Sequence, residues 1–129
     1  MGSPERILVC GGRDYADQAM LFGVLDMQAE QGPINAIIQG DCPTGADKLA
    51  RMWAISRNEH YDCYPADWRA HGKAAGPIRN QRMLDEAKPT KVFAFPGGRG
   101  TADMVRRAKA AGVPVYQFPD FSASRSNTQ

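Results

Sequence analysis

Short apolar runs alternate with helical patterns along this chain, and glycine-rich breaks separate them. No other feature limits the fold as tightly. Residues 6–10 read as a buried strand, broken by Gly11-Gly12-Arg13-Asp14-Tyr15. Residues 17–31 then place Met20, Leu21, Val24 and Leu25 at helical spacing, until Gly32-Pro33 stops them. Residues 34–39 read as a second strand, and residues 46–58 as a helix with Leu49, Ala50 and Trp53 on one face. A weaker strand is expected over 61–64 and a loop over 65–76. Pro77 is expected to open a helix that runs to Ala87. Residues 91–95 form a fourth strand, Thr101 starts a helix ending at Gly112, and residues 113–118 form a fifth strand. Pro114 marks that last strand as an edge or a strand start.

This order predicts an α/β, Rossmann-like three-layer domain: a mostly parallel sheet of about five strands with helices on both faces. The 129 residues suffice for one domain with a real core. Residues 1–121 are taken as that domain and residues 122–129 as a disordered polar tail. A net charge of +2 offers no case for a nucleic-acid or membrane surface. Cys10, Cys42 and Cys63 show no C-x-x-C pair, which reads as reduced thiols. With no apolar signal core at the start, a cytoplasmic location is expected.

In open parallel sheets, ligands sit beyond the carboxyl ends of the strands, where strand order reverses. Right-handed crossovers would bring three glycine-rich segments to that rim: residues 11–15, 40–46 and 96–101. Pro96-Gly97-Gly98-Arg99-Gly100-Thr101 leaves a strand and enters a helix, so backbone N–H groups and the helix dipole converge on one point. Gly97, Gly98, Gly100 and Thr101 are therefore candidate phosphate ligands, against the alternative of a plain tight turn. Gly40-Asp41-Cys42-Pro43-Thr44-Gly45-Ala46-Asp47 has phosphate-loop spacing, yet Ala46-Asp47 stands where a Walker loop carries Lys and Ser or Thr. NTP hydrolysis is not expected, while Gly40, Thr44, Gly45 and Asp47 stay candidate ligand contacts. Asp47 suits the helix dipole or a ribose hydroxyl. Gly11-Gly12-Arg13 lacks the last glycine of a dinucleotide fingerprint, yet Gly11 and Gly12 stay candidate ligand contacts; Arg13 can pair with a phosphate or stand free on the surface.

Two further stretches, Ala75-Gly76-Pro77-Ile78-Arg79-Asn80-Gln81-Arg82-Met83 and Phe95 to Met104, complete a pattern that resembles the SLOG superfamily. With Gly45-Ala46-Asp47 and Pro65-Ala66-Asp67-Trp68, the pattern resembles its YspA-like branch over about residues 6–116. The superfamily includes the Lonely guy phosphoribohydrolases and DprA-type DNA-processing proteins. The resemblance implies a nucleotide or nucleotide-derived ligand. In the phosphoribohydrolases an arginine followed by lysine and a P-G-G-x-G-T-x-x-E loop hold and hydrolyse a nucleoside monophosphate. Arg79 matches the arginine and the loop matches through Thr101; Asn80 replaces the lysine, as a candidate ligand contact in its place, and Met104 replaces the glutamate.

Asp103 is the nearest acidic candidate for the carboxylate that N-glycosidic cleavage needs, with Arg79 as its phosphate-holding partner. A carboxylate in a first helical turn also simply suits the dipole. Trp68 and Lys73, in a loop with Arg69 and His71, are candidate lid contacts to a base and a phosphate. No cofactor and no metal site are expected. Three functions follow: binding of a phosphorylated nucleotide-like ligand (a nucleotide or ADP-ribose-type metabolite) as sensor or sequestering protein, phosphoribohydrolase action, and single-stranded nucleic-acid binding. The near-balanced charge argues against the last. The expected partners are the small molecule and a second copy in a homodimer, with no nucleic acid and no membrane.

Overall fold

The structure is a computed structural model and describes residues 4–119. Five strands form one sheet in the order β3-β2-β1-β4-β5, and every pairing is parallel. They are β1 (Glu5–Cys10), β2 (Ile34–Gln39), β3 (Tyr61–Cys63), β4 (Lys91–Ala94) and β5 (Val115–Gln117). The helices are α1 (Gln18–Gln31), α2 (Gly45–Ser56), α3 (Trp68–His71), α4 (Ala75–Arg82) and α5 (Arg99–Ala110). The central strands are apolar on both faces because both are covered, as a parallel sheet requires.

Alternation along β1 sorts the core into two layers. Ile7 and Val9 point to one face and pack with Leu21 and Leu25 of α1 and Leu49, Ala50 and Trp53 of α2. Leu8 and Cys10 point to the other and pack with Met83 and Leu84 after α4 and Met104, Val105 and Ala108 of α5. This is the expected three-layer Rossmann-like architecture. Asp17 starts α1 by accepting the Met20 N–H at 3.0 Å. Trp53, fully buried, satisfies its indole N–H on Asp26 at 2.9 Å.

Several boundaries differ from expectation. Residues 65–76 are not all loop: they hold α3, started by Asp67, whose carboxylate accepts the Ala70 N–H at 3.0 Å, and a 3₁₀ turn over Gly72–Ala74. Pro77 does not open its helix but stands third in α4, where its missing N–H has no intrahelical partner to lose. A π-turn over Met83–Ala87 completes that segment. Helix α5 begins at Arg99, two residues before Thr101. Val113 stays outside β5 because its N–H closes the end of α5 on the Ala108 carbonyl at 2.9 Å. Strand β5 is an edge, with Pro114 just before it. The expected polar tail, residues 122–129, lies outside the described residues.

Candidate functional site

Strand order reverses between β1, which leads out to β2 and β3, and β4, which leads out to β5. At the carboxyl ends of these strands lies a cleft of about 700 Å³. That volume suits a nucleotide-sized ligand. The three glycine-rich segments meet there. Gly12 ties them: its N–H donates to the Pro96 carbonyl at 2.8 Å, and its own carbonyl accepts the Ala46 N–H at 3.2 Å.

Gly11, Gly12, Arg13, Gly40, Thr44, Asp47, Arg79, Asn80, Gly98, Gly100, Thr101 and Asp103 line the cleft, as do Trp68 and Lys73. Gly45 and Gly97 do not. Gly45 has φ +72° and lies so close to the Gly12 carbonyl that a Cβ would collide with it. Its role is to seat the second loop under the first. Gly97 lies against the Gly12 backbone and the Thr101 side chain.

The two helix starts in the cleft differ. Gly98, at the start of α5, supplies no side-chain cap, so the free N–H groups of that first turn face the cleft. Thr44, at the start of α2, also leaves its hydroxyl out of capping. Here, however, the N–H groups of Asp41, Cys42 and Ala46 are occupied. Asp47 accepts the Cys42 N–H at 3.1 Å, and Gln39 accepts the Asp41 N–H at 2.5 Å.

Arg79 reaches the cleft from α4. Its Nη1 donates to the carbonyls of Gly40 at 2.7 Å and Tyr64 at 3.2 Å, and its Nε donates to Asn80 at 2.9 Å. The Nη2 group carries the remaining N–H bonds. A side chain at Gly40 would occupy the space of this guanidinium. Burial lowers the Arg79 pKa, and the Asp47 charge opposes that shift. Burial likewise raises Asp47, against its Cys42 hydrogen bond and the charge of Arg79.

Asn80 is buried and fully engaged. Its amide donates to the Gly100 carbonyl at 3.2 Å and to Asp103 at 3.0 Å, bracketing α4 to α5. Asp103 also accepts from Arg107 at 2.8 Å and Arg106 at 2.6 Å. Burial pushes its carboxyl up, but these hydrogen bonds and arginine charges outweigh it and hold the pKa below the usual value. Cys10 is buried beside Asp47, and its thiol is pushed up to about 12, mainly by burial. It is no nucleophile.

At the outer rim, the Arg13 guanidinium sits over the Trp68 ring, 5.7 Å from its centroid. This contact bridges two cleft walls, the turn after β1 and helix α3. Trp68 remains 49% exposed, so its ring is not spent on the core.

The matches to known proteins fit this geometry. Residues 5–71 match the YspA, cpYpsA-related SLOG family (YAcAr). The Gene 61 protein of Mycobacterium phage D29 is 35% identical over 123 residues, covering 90% of this chain and 98% of the phage protein. The chain belongs to the YspA, cpYpsA-related SLOG family. Among solved structures, the Moco carrier protein from Chlamydomonas reinhardtii is similar at TM-score 0.61 and 18% identity, over 89% of this chain and 76% of that one. The C-terminal domain of a hydrogenase from Pyrococcus furiosus is similar at TM-score 0.51 and 18% identity, over 91% and 95% respectively. Both likenesses are of fold.

Two departures of this SLOG-family chain from the phosphoribohydrolase pattern now have a structural setting. Met104, where that pattern carries glutamate, is 1% exposed and packed in the core under α5. Asn80, in place of lysine, holds Asp103 instead of presenting a charge. Sequence reading passed over two contributors. Arg99, the variable residue of the glycine loop, lines the cleft; its place in a phosphate-loop pattern was a usable signal. Gln39, fully buried, shapes the second loop, donating to Cys63 Sγ at 2.8 Å while accepting from Asp41. A polar residue closing an apolar strand was the only hint. Among the described residues no group of three His, Cys, Asp or Glu is placed to hold a metal, and no helix is long and apolar enough to cross a membrane.

Proposed function

We propose that this cleft binds a phosphorylated nucleotide-like ligand and holds it without cleaving it, as a sensor or sequestering protein. The observation that carries the reading is the uncapped start of α5, opening into the same cleft as the half-buried Arg79 guanidinium. Free N–H groups, a helix dipole and a fixed cation together favour a phosphate. In this reading Gly98, Gly100 and Thr101 hold the phosphate with Arg79, and Arg99, Arg13 and Lys73 add positive charge. Asp47 and Thr44 face the sugar, and Trp68 covers the base.

The environment of Asp103 supports binding over hydrolysis. A carboxylate already satisfied by Asn80, Arg106 and Arg107 is a weak base and a poor partner for a developing oxocarbenium ion. With the reading go one folded unit over residues 1–121, a homodimer and a cytoplasmic location. Sedimentation tests the dimer.

The decisive experiment is a thermal-shift screen against nucleoside mono- and diphosphates and ADP-ribose, with product analysis by chromatography. A ligand at a hundred times its Kd adds about 2.7 kcal/mol, a rise of several degrees. Arg79→Lys should abolish most of that rise, because an ammonium cannot bond Gly40, Tyr64, Asn80 and a phosphate together. A ligand that loses its base would replace binding by catalysis. Absence of any shift across the panel would defeat the proposal.

A further inference from the structure

Strand β5 ends the sheet, and α5 runs alongside it. Between the two, at the carboxyl ends of β4 and β5, lies a second cleft of about 520 Å³. Ala94 and Val105, both buried, form its base, and Gln117 bounds it on the β5 side. Along α5 the lining residues change in one direction. Gly98, Thr101, Ala102 and Val105 are short; Arg106 and Lys109, farther along the helix, are long and cationic. Helix side chains lean toward the N-terminus, so both cations reach back along the cleft rather than away from it. Arg106 pairs with Asp103 at 2.6 Å, yet its side chain stays 69% exposed. The cleft is therefore small-walled and apolar near the start of α5 and positively charged at its far end.

This cleft is continuous with the larger one. Gly98 and Thr101 line both, so the first turn of α5 forms the crest between them. A phosphate held on that crest by the free N–H groups of α5 has an oxygen available on either side. A nucleoside attached through one of them fills the larger cleft, toward Arg79, Asp47 and Trp68. A phosphomonoester ends at the crest and leaves the second cleft unused.

We infer that the ligand is a phosphodiester, a nucleotide whose phosphate carries a second, apolar arm with an anionic end, seated between α5 and β5. The inference rests on the phosphate site proposed above and names the class of ligand it takes. A sugar as the second arm fits poorly, because its hydroxyls would give up water for Ala94, Ala102 and Val105. A short hydrocarbon arm loses nothing there, and a carboxylate at its end meets Arg106 and Lys109.

The test is calorimetric titration of the full-length protein with nucleoside monophosphates of each common base and with their methyl, hexyl and carboxypentyl phosphate esters. Methyl and hexyl esters carry the same charge, so their difference reads the arm alone. The hexyl ester should bind roughly tenfold tighter or more, since each fully buried methylene is worth about fourfold. Ala102→Leu fills the second cleft without reaching the first; it should abolish that gain and leave the monophosphate unchanged. Lys109→Gln should weaken the carboxypentyl ester by about threefold and leave the hexyl ester unchanged. Binding of a monophosphate or methyl ester with no gain from a longer arm overturns the inference and leaves the phosphate site standing. A gain that survives Ala102→Leu also overturns it, because the arm then lies elsewhere. A carboxypentyl ester insensitive to Lys109→Gln overturns the anionic end. No binding of any probe defeats the phosphate site and the inference together.

Discussion

After β2 the chain turns through Gly40 to Thr44 and enters α2; after β4 it turns through Phe95 to Gly98 and enters α5. Both turns are glycine-rich, both lead from a buried strand to a helix start, and both border the same cleft. Their hydrogen bonds separate them. The first turn is closed on itself and its neighbours: Asp41 on Gln39, Cys42 on Asp47, Ala46 on Gly12. The second anchors to Gly12 through the Pro96 carbonyl, and α5, like α2, starts without a side-chain cap, but with no counterpart among the described residues to the bonds of Asp41, Cys42 and Ala46. One turn is chiefly a lock, the other chiefly a receptor. A glycine-rich motif therefore counts as an anion site only after its N–H groups have been traced to their acceptors.

The largest effect should come from breaking the lock. Gly45→Ala puts a Cβ into the Gly12 carbonyl and 2.7 Å from the Arg13 backbone, at φ +72°. Left-handed strain and a collision with backbone should cost roughly 3 kcal/mol or more. Urea denaturation reads the loss, and a wild-type midpoint would refute the lock.

Next in size is the carboxylate beneath the receptor turn. Asp103→Asn places an amide donor where Asn80, Arg106 and Arg107 already donate, and should cost roughly 2–3 kcal/mol at neutral pH. The sign of its pH dependence follows from the lowered pKa. The wild-type carboxylate adds stability above its unfolded pKa, near 3.9, and that stability disappears as pH falls through the lower folded value. The gap between wild type and variant should therefore close in acid. A gap constant with pH would assign the loss to packing instead.

Gly100→Ala should separate stability from binding in the receptor turn. Open space surrounds Gly100, in the first turn of α5, so alanine should stabilise the fold by about 0.5–1 kcal/mol. The added methyl group stands at the rim where the proposed phosphate approaches, so the ligand-induced rise in Tm should shrink. A variant that is more stable and binds as well as wild type would move the phosphate away from this turn.

Much of this was legible in the chain itself. Alternation of apolar runs with helical periods gave the parallel sheet and both layers, because strands covered on two faces must be apolar throughout, as Ile7, Leu8 and Val9 are. Three loops at one rim followed from crossover handedness, and most of the predicted contacts do line one cleft. What escaped was the state of individual polar groups. Nothing in the order of residues says that Asn80 spends its amide on Gly100 and Asp103, or that Gly45 faces Gly12 rather than the cleft. Such pairings join residues 20 or more apart in sequence and form only once the layers are packed.

The smallest effect, Asp47→Asn, tests the closed turn from its charge. Burial raises the Asp47 pKa despite the Cys42 N–H and the Arg79 charge, so the ionised form is the one folding disfavours. A raised folded value contributes stability that is full below the unfolded pKa, near 3.9, and lost as pH climbs through the folded value. Asparagine keeps an oxygen for the Cys42 N–H and removes the charge. The variant should equal or exceed wild type by about 0.5 kcal/mol at neutral pH and lose this advantage in acid, opposite in direction to Asp103→Asn. Paired denaturation curves at two pH values measure both. If Asp47→Asn instead costs stability at neutral pH, its attraction to Arg79 outweighs burial. The closed turn would then depend on an ion pair across the cleft, and a bound phosphate would compete with Asp47 for the same guanidinium.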